Sequence, residues 1–409
     1  MLELDFVRSH FPALQGGFTF MDNAGGSQAP RQVVARIGEY LTNWNVQLGA
    51  SYEVSATAGE KLAEATRRLA EFIRAARPEE VVIGPSTTML LRILSLTLSR
   101  QWQAGDELIV TNSDHEANVS CWTDLRERGI VVKIWELNPD TLEFELDELR
   151  ALLTPRTRLV AMVHASNILG TINPIREVAG VVHKAGALFC VDGVAYAPHR
   201  LVDVQAFGAD FYVFSCYKVY GPHQAILYGR YELLRELDSI NHYFIGKEAI
   251  PYKLQPGNFN FELTYGLGGT LDYLEAVHDR HFPEGKDRPP AEKYASTFEL
   301  FAAHEEALSE TLLAYLRSVP EVRIIGKTGS DRMARVPTVS FVHDRFKSSE
   351  IVRKVDPHRI GIRFGDFYAK KLIRSLGLEE KDGVVRVSLV HYNTIGEVER
   401  LIEVFRNIF

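Results

Sequence analysis

The stretch Asp210-Phe-Tyr-Val-Phe-Ser-Cys-Tyr-Lys218-Val-Tyr-Gly-Pro222 carries an apolar run into a lysine and stops at a Gly-Pro pair. The run Phe211-Tyr-Val-Phe214 reads as a strand buried on both faces. A lysine at the mouth of such a strand is costly unless it is paired or used. A desolvated amine is nucleophilic and suits a Schiff base with an aldehyde cofactor. Upstream, Phe189-Cys-Val-Asp192-Gly193 is a second apolar strand, ending on a carboxylate. Asp192 and Lys218 are 26 positions apart, room for a helix or loop and a return strand when βα units run to about 30 residues. A lysine and an aspartate at neighbouring strand ends fit pyridoxal 5'-phosphate, with the lysine on the aldehyde and the aspartate on the pyridine nitrogen. The bland alternative is a buried Asp–Lys ion pair.

Outward from this pair, helix and strand signals alternate. Strands are expected at 81–83, 107–111, 131–135, 158–164 and 188–192, with helices at 59–74, 88–98, 118–128, 146–153 and 175–185. This alternation predicts an α/β fold, a mostly parallel sheet flanked by helices. The chain has 409 residues, too many for one compact core. A large domain is expected over 21–280. The polar, proline-rich stretch 281–290 reads as a surface loop before a smaller α+β domain at 291–409. That domain begins with a helix over 292–319, has strands at 322–325, 338–342 and 384–389, and ends with a helix over 395–408. Residues 1–20 are expected to pack with the small domain, and Gly361–Gly365 reads as a loop.

Composition narrows the classes. The net charge of −7 is spread along the chain, and no basic tract points to nucleic acid. Three scattered cysteines, Cys121, Cys190 and Cys216, form neither a disulfide framework nor a zinc site. The start Met1-Leu-Glu-Leu-Asp-Phe-Val-Arg lacks a basic-then-apolar leader. No stretch approaches the roughly 18 apolar residues of a membrane span. A reducing, cytoplasmic setting without membrane contact is expected.

Ligands of open parallel sheets lie beyond the carboxyl ends of the strands, and polar groups recur at those ends here. Gly84-Pro-Ser86-Thr87-Thr88 offers hydroxyls and free N–H groups at a helix start, a phosphate cradle or an ordinary helix cap. His115, in Asn112-Ser-Asp-His115-Glu-Ala-Asn118, is placed to stack on a cofactor ring or move a proton, or is a polar loop histidine. Asn167, before Ile-Leu-Gly170, either bonds a ring substituent or caps a turn. The dinucleotide fingerprint, the Walker lysine motif, HExxH and the G-x-S-x-G elbow are all absent.

Asp114-His115-Glu-Ala-Asn118, Ser166-Asn167-Ile-Leu-Gly170-Thr171, Val191-Asp192-Gly193 and the Lys218 segment, in this order, resemble a fold-type I pyridoxal-phosphate enzyme of the class V aminotransferase group. The nearest branch is that of cysteine desulfurases and selenocysteine lyases. The resemblance extends from Met21-Asp-Asn-Ala-Gly25 to His391-Tyr-Asn-Thr394. It implies that Lys218 bonds the cofactor and later moves the substrate α-proton, that Asp192 keeps the pyridine nitrogen protonated, and that His115 stacks on the ring. It places Ser86, Thr87 and Ser215 on the phosphate and Asn167 near the ring hydroxyl or the substrate carboxylate. Arg386 matches the arginine that pairs with the substrate α-carboxylate, with Arg363 a second candidate; the guanidinium fork suits that task. The resemblance further implies an amino-acid substrate and a homodimer with shared active sites, in which Gly257-Asn258 reaches the neighbouring phosphate.

The departures are informative. Desulfurases carry a nucleophilic cysteine a few residues after the Arg363 position. Here the loop reads Arg363-Phe-Gly-Asp-Phe-Tyr368-Ala, with Tyr368 at the cysteine position. A phenol with an ordinary pKa near 10 does not replace a thiolate as sulfur acceptor. Ala195 stands where the family has glutamine, and Tyr217 where a histidine precedes the lysine, so Tyr217 is expected to supply a lost cofactor contact. The leading expectation is C–S cleavage by β-elimination without an acceptor cysteine. Transamination or epimerisation, and a non-catalytic scaffold, are the alternatives.

Overall fold

The computed structural model describes all 409 residues. The strands are β1 (Thr19–Phe20), β2 (Val81–Gly84), β3 (Glu107–Thr111), β4 (Val131–Trp135), β5 (Thr157–Val163), β6 (Leu188–Asp192), β7 (Phe211–Ser215), β8 (Ala225–Gly229), β9 (Val322–Ile325), β10 (Thr338–His343), β11 (Ile360–Gly361), β12 (Arg363–Gly365) and β13 (Val384–Ser388). A seven-stranded sheet has the order β2-β8-β7-β6-β5-β3-β4. Only β8 runs against its neighbours; the other pairings are parallel.

Successive side chains of a strand point to opposite faces, and both faces of this sheet are buried. Val82, Phe211 and Val213 pack with Leu90, Leu94 and Trp122 on one side. Val81, Ile83, Tyr212 and Phe214 pack with Val178, Val182 and Tyr273 on the other. Apolar runs rather than alternation follow from this, as expected for a covered parallel sheet.

The helix Phe261–His281 has no counterpart in the sequence reading. It crosses the helix Arg31–Asn43 closely enough that a Cβ on Gly269 would lie 2.4 Å from the Val33 nitrogen. Glycine at this position is what lets the two backbones meet.

The second sheet, β12-β13-β10-β9, is antiparallel. The helices Pro290–Ser318, Ser348–Val355 and Ile395–Arg406 share its core. The N-terminal residues join both halves of the chain. Thr19 and Phe20 pair in parallel with Ile360 and Gly361, while Val7 and Phe11 enter the core that holds Tyr220, Tyr273 and Tyr392. The stretch Gly361–Gly365, expected as a loop, is largely extended. Its residues Arg363–Gly365 form the edge strand β12, with Arg363 opposite Arg386. Three residues at a sheet edge are too few for a periodic signal.

Candidate active site

The carboxyl ends of β2, β3, β5, β6 and β7 open on one cavity. It is lined by Ser86, Thr87, His115, Asn167, Asp192, Ser215, Tyr217 and Lys218, with Ala195 in its wall. Eight residues read from the sequence are thereby brought together. Arg386, Arg363 and Asn258 are not among its lining residues.

Asp192 ends β6, 2% exposed, and accepts the Val194 N–H at 2.9 Å. Gly193 follows because Tyr212 fills the space beside it: a Cβ there would lie 2.2 Å from the ring. Lys218 closes the one-turn helix Cys216–Lys218 after β7 and is 9% exposed. Burial raises the Asp192 carboxyl and lowers the Lys218 amine, whose pKa the nearby Arg386 lowers further. For Lys218 the shift favours the neutral, nucleophilic amine, while Asp192, raised only to about 6, stays a carboxylate at neutral pH.

The helix Thr87–Leu98 points its N-terminus into the cavity. Ser86 is its N-cap, its hydroxyl oxygen accepting the Met89 N–H at 3.2 Å, and the hydroxyls of Thr87 and Ser215 lie 2.7 Å apart. The cap and the cradle are thus one arrangement: a capping oxygen keeps its own proton for an anion, and a helix N-terminus favours negative charge. His115 is held near a pKa of about 4, by burial first and then by the charge of Lys218, which keeps it a neutral ring. Behind it, burial pushes Asp114 up to about 7, although the Asn118 amide at 2.6 Å and the Val163 N–H at 3.1 Å donate to it.

The second sheet adjoins this lining at Asn167. Arg386 is 2% exposed, bonds an Asp22 oxygen at 2.8 Å and the Asn167 carbonyl at 3.2 Å, and lies 3.7 Å from the centroid of the Phe367 ring. Arg363 is exposed at the same Asp22 carboxylate, 3.7 Å away. The two arginines are a cross-strand pair around Asp22, a residue to which the sequence reading gave no role. Asn167 donates to the Phe367 carbonyl at 2.9 Å. Phe367 and Tyr368 both adopt left-handed φ, 49° and 60°, a conformation that costs L residues about 1–2 kcal/mol each. The Tyr368 ring, 68% exposed, lies 5.2 Å from that of His115. Tyr217 stacks on His223 at 4.8 Å. Asn258 lines a separate groove with Pro85, Met89 and His223.

Asn167 Oδ1 and Arg386 Nε are buried without a partner. Buried polar atoms are rarely left so, and Asn167 lines the cavity, where its free acceptor fits a polar ligand beside Asp192, Lys218 and the hydroxyl cradle. The donor set suits pyridoxal 5'-phosphate: an amine for its aldehyde, a carboxylate for its pyridine nitrogen, and hydroxyls at a helix start for its phosphate. The structure has no group of three or more His, Cys, Asp or Glu side chains arranged to hold a metal, and no helix long and apolar enough to cross a membrane.

Fold and cavity together define a pyridoxal-phosphate-dependent enzyme of fold type I. The Aminotransferase class-V family model matches residues 19–285 and 293–401, and the chain belongs to that family. The aminotransferase-like protein FGM3 of Gibberella zeae is 44% identical over 98% of this chain and 96% of its own length. The cysteine desulfurase-like protein ustD of Aspergillus flavus is 36% identical over 97% and 89%. A cysteine desulfurase of Dickeya dadantii is 30% identical over 98% and 95%. The cysteine desulfurase CsdA of Escherichia coli has a similar structure, with a TM-score of 0.84 at 25% identity over 100% of this chain and 98% of that one.

Proposed function

We propose that the enzyme cleaves a C–S bond of an amino acid by β-elimination, with no protein thiol as sulfur acceptor. One observation carries this reading. Cys121, Cys190 and Cys216 are all buried, none lines the cavity, and Tyr368 stands in the loop beside His115. Burial also pushes all three thiols up, away from the reactive thiolate.

When bound, pyridoxal 5'-phosphate supplies an aldehyde for the substrate amine and a ring that accepts electrons from Cα. Lys218 would bond the aldehyde and, as a neutral amine, would take the α-proton of the substrate. Asp192 would keep a proton on the ring nitrogen, His115 would cover the ring face, and Ser86, Thr87 and Ser215 would hold the phosphate. Arg386 would orient the substrate carboxylate through its unpartnered Nε–H, and the free Asn167 Oδ1, an acceptor, would take the ring hydroxyl of the cofactor, with Arg363 at the entrance. As the C–S bond breaks, its electron pair leaves on sulfur. A thiol or persulfide departs, and hydrolysis of the remainder yields pyruvate and ammonia. A second copy of the chain brings Asn258 to the phosphate, as the resemblance implies.

Incubation with cysteine, cystine and S-substituted cysteines, followed by a pyruvate assay, tests the reading. Pyruvate from none of them overturns it. The 44% identity to a protein described as aminotransferase-like favours transamination as the second reading; accumulation of a pyridoxamine absorbance band identifies it.

A further inference from the structure

His391-Tyr392-Asn393 joins β13 to the helix Ile395–Arg406 and lines no part of the cavity. All three are buried, at 0%, 0% and 1% exposure. We propose that these three consecutive residues are positioning residues that fix the main chain on both sides of Lys218. This rests on Lys218 being the lysine that bonds the cofactor.

The first hold acts through Tyr220, two residues after Lys218, whose φ of 59° is rare for an aromatic residue. Its hydroxyl donates to the Pro198 carbonyl at 2.6 Å and lies 3.0 Å from His391 Nδ1. The phenol has one proton and gives it to Pro198, so Nδ1 carries the hydrogen and donates. His391 Nε2 then accepts from the Tyr273 hydroxyl at 2.6 Å. The imidazole is neutral, in one tautomer, with its ring stacked 3.7 Å from that of Phe301. Each donor in this line has one acceptor, and the line ends beside the lysine.

The second hold acts through the turn Asn23–Gln28. The Tyr392 hydroxyl donates to Asn23 Oδ1 and accepts the Gln28 N–H at 3.1 Å. Asn393 Oδ1 accepts from Asn23 Nδ2 at 3.2 Å, and its own amide donates to the Phe20 carbonyl at 2.9 Å. Inside the turn so fixed, Ser27 reaches the lysine segment. Its hydroxyl donates to the Lys218 carbonyl at 2.9 Å and accepts the Tyr220 N–H at 2.9 Å, and its N–H donates to the Tyr217 carbonyl at 3.1 Å.

Filling space alone would favour apolar side chains here, because buried polar groups cost desolvation unless fully bonded. What the bonds add is direction. The Lys218 amine has to meet both an aldehyde carbon and an α-proton, and a shift of about 1 Å in such a group is worth on the order of 100-fold in rate.

The test uses the holoenzyme formed with pyridoxal 5'-phosphate, and Tyr220→Phe, which removes only the hydroxyl, beside His391→Phe. Borohydride reduction and peptide mass read whether Lys218 bonds the cofactor. Visible circular dichroism reads the geometry of that bond. Cα hydrogen exchange of L-alanine in D2O reads proton transfer without any leaving group. Both variants are expected to keep labelled Lys218, to show an altered dichroic band and to exchange about 10- to 100-fold more slowly. The double variant should be no slower than His391→Phe. Phe301→Leu, which leaves every bond above in place, should lower Tm and keep the wild-type band. A wild-type band and rate in Tyr220→Phe overturn the proposal even where His391→Phe fails to fold, and so does an altered band in Phe301→Leu. Unlabelled Lys218 in the wild type overturns the reading of the site itself, and the proposal with it.

Discussion

Arg386 and Phe367 are stacked, the guanidinium carbon 3.7 Å from the ring centroid. The same phenylalanine offers its carbonyl to Asn167, so one loop residue steadies both Arg386 and the Asn167 amide. A desolvated cation–π contact contributes about 2 kcal/mol, and each 1.4 kcal/mol or so is a factor of ten in binding. Phe367→Ala should therefore raise the KM of an amino-acid substrate by about tenfold or more while kcat changes less. Steady-state kinetics beside Phe367→Tyr, which keeps the stack, checks this.

Lys218→Ala removes both the amine for the aldehyde and the base for the α-proton. Loss of a positioned base costs about 10²–10⁴-fold, and the cofactor should wash out more readily. The lysine-bound absorbance band should disappear, and borohydride should leave no label on the 210–222 peptide.

The apoprotein should lose stability in mild acid through His115. Unfolded, this imidazole takes its proton near 6.5; folded, only near 4. Between those values the unfolded chain binds the extra proton, so stability falls as pH falls from 6.5 to 4, by on the order of 3 kcal/mol. Asp114, raised from 3.8 to about 7, has the opposite slope over that range. The difference between wild type and His115→Asn in urea melts at several pH values isolates the imidazole, and equal slopes in the two proteins would refute it.

Turnover should survive thiol alkylation. All three cysteines are buried with raised pKa values, so iodoacetamide should modify none of them in the folded protein. Intact mass and pyruvate release, measured before and after treatment, read this directly. Parallel loss of a thiol and of activity would return a cysteine to the mechanism.

Local signals carried far in this chain. β3 and β6 begin and end where apolar runs and turn residues place them, because a covered strand writes its bounds in its own residues. The cavity lining was legible for the same reason, since each contribution sits at a strand end. The helix Phe261–His281 was not legible. Tyr265-Gly-Leu-Gly-Gly269 reads as a helix breaker, and only the crossing with Arg31–Asn43 shows why glycine is required. Asp22 was missed as well. Its link to Arg386 spans 364 positions and leaves no trace in local pattern, and the edge strand β12 is too short to show one.

The cavity and the arginine pair beside it hang on different sheets. Asp192, Lys218 and the phosphate cradle belong to the large sheet, whereas Arg386, Phe367 and Tyr368 belong to β13 and the loop after β12, and Asn167 bonds across to both Arg386 and Phe367. The two halves of the enzyme are therefore coupled at this one loop. The Phe367 and Tyr368 carbonyls take bonds from Asn167 and Glu116, so a change within residues 363–369 is felt at the strand ends that hold the cavity.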